Sequence, residues 1–111
     1  MMQHCTKIVV EPFAAVVYVA TSDEAWEELG IERDEVFGVV LGNDEGMFIA
    51  LPEEYRECTT WHEAHHAARW LTDHYGVPTN AESHEIDVYL QEHIVRLIKS
   101  EVYDMNEESI T

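Results

Sequence analysis

The hydrophobic positions of the chain change period about halfway along it. From Cys5 to Val10 and from Phe13 to Ala20 the sequence is dense in Val, Ile, Phe and Tyr, with Pro12 between the two runs. Such residues fit a pleated, half-buried surface, so two strands are predicted. Thr21-Ser22-Asp23-Glu24 then puts acids in the first turn of a short helix, whose stripe of Ala25, Trp26 and Leu29 stops at Gly30. Val36 to Leu41 and Met47 to Ala50 flank the turn-rich Gly42-Asn43-Asp44-Glu45-Gly46 and predict a hairpin, ended by Leu51-Pro52-Glu53-Glu54. Beyond it the period is helical. One helix is expected from about Cys58 to Tyr75, with Ala64, Ala67, Ala68, Leu71 and Tyr75 on its core face and Gly76-Val77-Pro78 as its stop. A second is expected from about Glu82 to Tyr103 on the stripe Ile86, Leu90, Ile94, Leu97 and Ile98, followed by a frayed tail from Asp104 to Thr111. Strands first and helices later predict an α+β fold: a small, mostly antiparallel N-terminal sheet with one short helix, then two long helices. With 111 residues, 46% of them hydrophobic, the chain is expected to form a single domain over residues 1–111.

The first long helix carries the chemistry. Trp61-His62-Glu63-Ala64-His65-His66 contains the array H-E-x-x-H. Residues four apart on a helix return to nearly the same face, so His62 and His66 can grip one ion without distorting the backbone. Glu63 beside them is placed to take a proton from a zinc-bound water, the general-base arrangement of zinc hydrolases. A structural alternative stands beside this one, because Thr60-Trp61-His62-Glu63 also fits the S/T-x-x-E capping box, in which Glu63 would satisfy a backbone N–H at a helix start. His65 lies about 100° from His66 around the helix and reads as a neighbouring or surface residue. Cys58, one turn before His62, reads as a buried or capping-region thiol.

A catalytic zinc needs a third protein ligand and one open position. Glu82, His84, Glu85, Asp87 and His93 of the second helix are all ligand types. Spacing favours Glu85, 19 residues after His66, near the start of a helix that folds back across a short loop. Tyr89 and His93 follow it at four-residue intervals. Tyr89 is a candidate to orient Glu85 or to donate to a developing oxyanion, against the alternative of an ordinary packed aromatic.

Charge changes the list of partners. Twenty-three acidic residues against 6 basic ones leave a formal net charge of −17, which argues against phosphate contacts and hence direct nucleic-acid binding. Such a field belongs to an acidic solvated surface, to selection of basic peptide or protein substrates, or to imitation of DNA by a protein that occupies a basic cleft. The last gives the alternative function: an acidic DNA-mimic or anti-defence binding protein with structural zinc or none. Two distant cysteines, Cys5 and Cys58, make no disulfide framework. No apolar stretch is long enough to cross a bilayer, and Met1 to Val10 has no signal-peptide pattern, so a cytoplasmic protein without membrane contact is expected.

The order of an H-E-x-x-H helix, a tight loop and a second helix opening with a glutamate resembles the gluzincin metallopeptidases. Residues 61–66 together with Ser83-His84-Glu85-Ile86-Asp87-Val88-Tyr89-Leu90 are similar to small metallopeptidases encoded by bacteriophages, whose second motif reads approximately E-x-x-A-Y. The likeness covers about residues 60 to 98. It implies one Zn2+ per chain held by His62, His66 and Glu85, with Glu63 as the base for peptide-bond hydrolysis. Val88 stands where that group has alanine, and Tyr89 stands where the larger thermolysin-type enzymes have an aspartate. The resemblance also implies that the strand before the active-site helix, Met47 to Ala50, is a sheet edge that pairs with an extended peptide. A chain without the second domain of larger peptidases is expected to be narrow in specificity, latent, or completed by a partner.

Overall fold

The computed structural model describes residues 4–11, 13–31, 38–43, 46–76 and 81–105, with the side chains of residues 39, 41, 43 and 81–84 outside that description. Strands β1 (Thr6–Val10), β2 (Ala15–Ala20), β3 (Val39–Asn43) and β4 (Gly46–Ala50) form one sheet in the order β1-β2-β4-β3. Helix α1 (Asp23–Glu28) follows β2, and α2 (Glu57–His74) and α3 (Ala81–Leu97) follow β4. A π-helical turn, Ile98–Val102, prolongs α3 nearly to the expected end at Tyr103. The fold is therefore α+β, as the pattern predicts. Val36, the Asp44-Glu45 turn, Val77-Pro78 and the tail after Met105 lie outside the described residues.

Two pairings are antiparallel, β1 with β2 and β3 with β4, whereas β2 and β4 run parallel with Val17 opposite Met47 and Val19 opposite Ile49. The parallel step arises because β3, which follows α1 in the chain, lies beyond β4 and runs antiparallel to it, so the hairpin returns β4 alongside β2 in the same direction. Ser22 starts that helix by accepting from the Ala25 N–H at 3.1 Å. Trp26 anchors it by donating its buried indole N–H to the Leu51 carbonyl at 2.9 Å.

Alternation then sorts the sheet's two faces. Ile8, Val10, Val17, Val19, Met47 and Ile49 point to one side, where they bury against Ala64, Ala67, Ala68 and Leu71 of α2 and Leu90, Ile94, Val95 and Ile98 at α3 and its extension. Ala20, Ala25, Trp26 and Ala50 form a second cluster around α1. Both long helices thus share one face of the sheet, α2 against β3 and β4 and α3 against β1. Three alanines in the α2 stripe let that helix lie close to the strands.

Helices α2 and α3 are fixed to each other by polar clamps as well as by the core. Arg69 donates to buried Asp87 at 2.9 Å, and the Gln91 amide donates to the Trp61 carbonyl at 3.0 Å. These contacts turn the Asp87–Gln91 side of α3 toward α2. On the other flank, a Cβ built on Gly42 of β3 would overlap the Trp70 indole, so the missing side chain is what allows the ring to lie on the strand. Gly42→Ala should therefore cost about 1–3 kcal/mol, as overpacking does. Urea denaturation checks this, and the cost should nearly vanish when Gly42→Ala is made in a Trp70→Ala background; an equal cost in both backgrounds would rule the contact out as its cause.

Candidate functional site

Helix α2 begins at Glu57, after Arg56 in extended conformation, and Thr60 already donates its N–H to the Arg56 carbonyl at 2.9 Å. Glu63 is thus in the second turn, past the unsatisfied N–H groups of the helix start. The capping-box alternative is not what this helix uses.

A ridge of residues four apart, His62, His66, Trp70 and His74, runs along the side of α2 that faces β3. His62, Glu63, His66 and Trp70 join Gly38 and Val40 in lining a cleft of ≈ 460 Å³ between helix and strand. Trp70 stacks on His74 with ring centroids 4.5 Å apart and planes at 11°. Gly38 packs on the catalytic candidate itself, since a Cβ there would lie 3.0 Å from the Glu63 Cγ. Neither Gly38, Val40 nor Trp70 was marked by sequence as a site residue. The four-residue spacing from His62 through His66 to Trp70 was the available sign; Val40 of β3 and Gly38 just before it arrive only through the strand order.

The imidazoles of His62 and His66 are exposed and bring their Nε2 atoms to 3.2 Å of each other, with ring planes at 84°. This geometry suits two arrangements. Either one N–H donates to the other ring, or both lone pairs face a common ion. Two nitrogens at about 2.0–2.1 Å from a tetrahedral zinc stand about 3.3–3.4 Å apart, so the pair fits two positions of such a shell. His65 is exposed off the ridge, with its ring centroid 6.1 Å from that of His66. Cys58 is a free, exposed thiol rather than a buried one.

Glu63 differs from its histidine neighbours in being buried, at 6% exposure. Removal from water pushes its carboxyl above the ordinary carboxylate range, an effect opposed by His62 and His66 when they are charged. The shift moves it toward the pH at which a general base works.

The two α3 candidates lie elsewhere. Glu85 and Tyr89 are exposed, and Tyr89 stacks on His93 with centroids 5.8 Å apart. The His93 Nε2 in turn accepts from the Glu11 N–H at 3.4 Å, beside β1. That face is about 200° around α3 from Asp87 and Gln91, because two residues separate each pair at 100° per residue. Three strand spacings, about 14 Å, separate β1 from the cleft at β3. Among the described residues no third His, Cys, Asp or Glu joins His62 and His66 in a group that could hold a metal. Asp87, a candidate ligand by residue type, is engaged with Arg69.

The strand expected to form the peptide-binding edge needs correction. Met47–Ala50 lies in β4, hydrogen-bonded to β2 on one side and β3 on the other, so it offers no free edge. The described strand at that end of the sheet is β3. The expectation failed because the hairpin turned its first strand outward, a choice that strand sequence alone does not encode.

Comparison with protein-family models, with curated proteins and with solved structures finds no match to this chain. No helix among the described residues is long and apolar enough to cross a membrane.

The burial of Glu63 has a measurable sign. Between its unfolded value near 4.5 and its raised folded value the native state binds more protons than the unfolded state, so this group lowers stability as pH rises. In chelator-treated protein, Glu63→Gln should gain in melting temperature over wild type as pH rises from 4.5 to 7. Below 4.5 the difference should be flat. A difference independent of pH would show that the carboxylate is not desolvated.

Proposed function

We propose that the chain is a minimal zinc-dependent hydrolase of peptide bonds, with a zincin-like arrangement of cleft, helix and edge strand. The observation that carries this reading is the convergence of the His62 and His66 Nε2 atoms to 3.2 Å beside the buried carboxyl of Glu63. In this reading zinc is held by His62 and His66; Glu85, the third ligand that the resemblance implies, lies on the side of α3 away from them. A zinc ion in such a site supplies a Lewis acid that polarises a carbonyl and lowers the pKa of water from 15.7 to about 7.

The residues divide the remaining work. Glu63, raised toward neutral pH by burial, accepts the proton of the attacking water and can return it to the leaving amine. Strand β3 offers backbone groups on which an extended peptide can add as a further strand, with Val40 and Trp70 flanking its side chains. The net charge of −17 favours basic peptides or proteins.

A second reading rests on that same charge. Of the few cations, Arg69 is paired with Asp87 and Lys99 lies 3.6 Å from Glu57, which leaves an acidic exterior suited to blocking a basic, nucleic-acid-binding cleft. The two readings separate at one atom. Glu63→Gln keeps shape and metal donors but removes the base, so cleavage of a peptide library at matched zinc content should fall at least about a hundredfold in kcat/KM. Glu63→Gln as active as wild type would falsify the mechanism. Inhibition of a nuclease by both proteins equally, weakening with salt, would favour the acidic binding protein.

A further inference from the structure

We propose that the outward face of α3 around Tyr89 is a docking surface for an arginine- or lysine-rich amphipathic segment of another protein. Among the described residues five large apolar side chains are exposed, and three of them, Ile86 (40%), Val88 (44%) and Tyr89 (54%), lie within four positions of this one helix. A surface helix ordinarily turns its apolar residues inward. Here the inward side is already filled by Leu90, Ile94 and Ile98, and the bonds from Arg69 to Asp87 and from Gln91 to the Trp61 carbonyl fix which side faces out. Tyr89 follows Ile86 by three places, and Glu85 and Glu92 each stand three or four places from both Val88 and Tyr89. Helical spacing therefore borders the apolar residues with two carboxylates.

The chemistry of this face selects its occupant. Tyr89 is held in place, because its ring stacks on His93 with centroids 5.8 Å apart and planes at 10°, and the His93 Nε2 accepts from the Glu11 N–H at 3.4 Å. Glu11, Glu85 and Glu92 are all exposed around that stack. A fixed aromatic ring bordered by carboxylates suits a guanidinium or ammonium group, which gains from the face of the ring and from the neighbouring charges together. Ile86 and Val88 then receive the partner's apolar side chains. Arg96, exposed one turn past Glu92, marks the end of the acidic border. A second copy of the chain fits poorly, because it would set these carboxylates against their like in a field of −17. The surface is independent of any metal at His62 and His66.

Isothermal titration of the full chain in a chelating buffer, with synthetic helical peptides as probes, tests this. A peptide with a leucine face and an arginine face should bind at least about tenfold more tightly than one with glutamate in place of arginine, or one with serine in place of leucine. Tyr89→Ser should weaken the leucine–arginine peptide about tenfold, whereas Tyr89→Phe, which keeps the ring, should match wild type within about twofold. Glu85→Gln with Glu92→Gln should weaken it at least about threefold more than Glu53→Gln with Glu54→Gln, which removes the same charge from exposed positions elsewhere. Equal weakening by the two pairs would assign the attraction to net charge alone and overturn the proposal. Binding that survives Tyr89→Ser unchanged, equal binding of the serine peptide, or no binding of the leucine–arginine peptide overturns it too. A wild-type dimer that Tyr89→Ser dissociates in analytical ultracentrifugation would give the face to a second copy instead.

Discussion

Everything about the site follows from how α2 is seated. Ala64, Ala67, Ala68 and Leu71 are buried against Val17, Val19, Met47 and Ile49, and side chains this small hold helix and sheet in close contact with little freedom to roll. With that stripe fixed to the sheet, helical geometry leaves no choice for the adjacent ridge. His62, His66 and Trp70 must lie along β3, and Glu63, between ridge and stripe, must be half-turned into the protein. The exposed imidazoles and the desolvated carboxyl are two consequences of one packing contact. Gly38 and Gly42 are its complement on the strand side, since each gives up the volume that Glu63 and Trp70 take.

Helix α3 is governed by a different balance. Its apolar residues Leu90, Ile94, Val95 and Ile98 would tolerate some rotation, because a hydrophobic stripe is wide and non-directional. The Arg69–Asp87 ion pair and the Gln91–Trp61 hydrogen bond are directional and remove that freedom. Leaving Asp87 buried without its arginine would cost more than the pair itself contributes, so the clamp acts chiefly as a register device. Its effect is to turn Glu85 and Tyr89 away from the cleft that His62 and His66 line.

The acidic surface acts on a longer scale than any of these contacts. It does not determine the fold, but a field of this sign favours the approach of cationic molecules over anionic ones.

Sequence alone determined the two periodicities, and with them the four strands, the three helices and the pairing of His62 with His66, because each depends on contacts a few residues apart. Glu63 as the residue beside the pair was legible for the same reason. The tertiary structure decided what depends on rotation and order: the parallel β2–β4 step that makes β3, not β4, the outermost of the described strands, and the sides of α3 that face inward. Glu85 shows the difference plainly. Its spacing from His66 put it near the start of the returning helix, yet whether it pointed at the histidines depended on Asp87 finding Arg69, a contact between residues 18 apart that no periodicity records. The cleft residues Gly38 and Val40 entered the site by strand order, and only Trp70 carried a trace of its role in the spacing of the ridge.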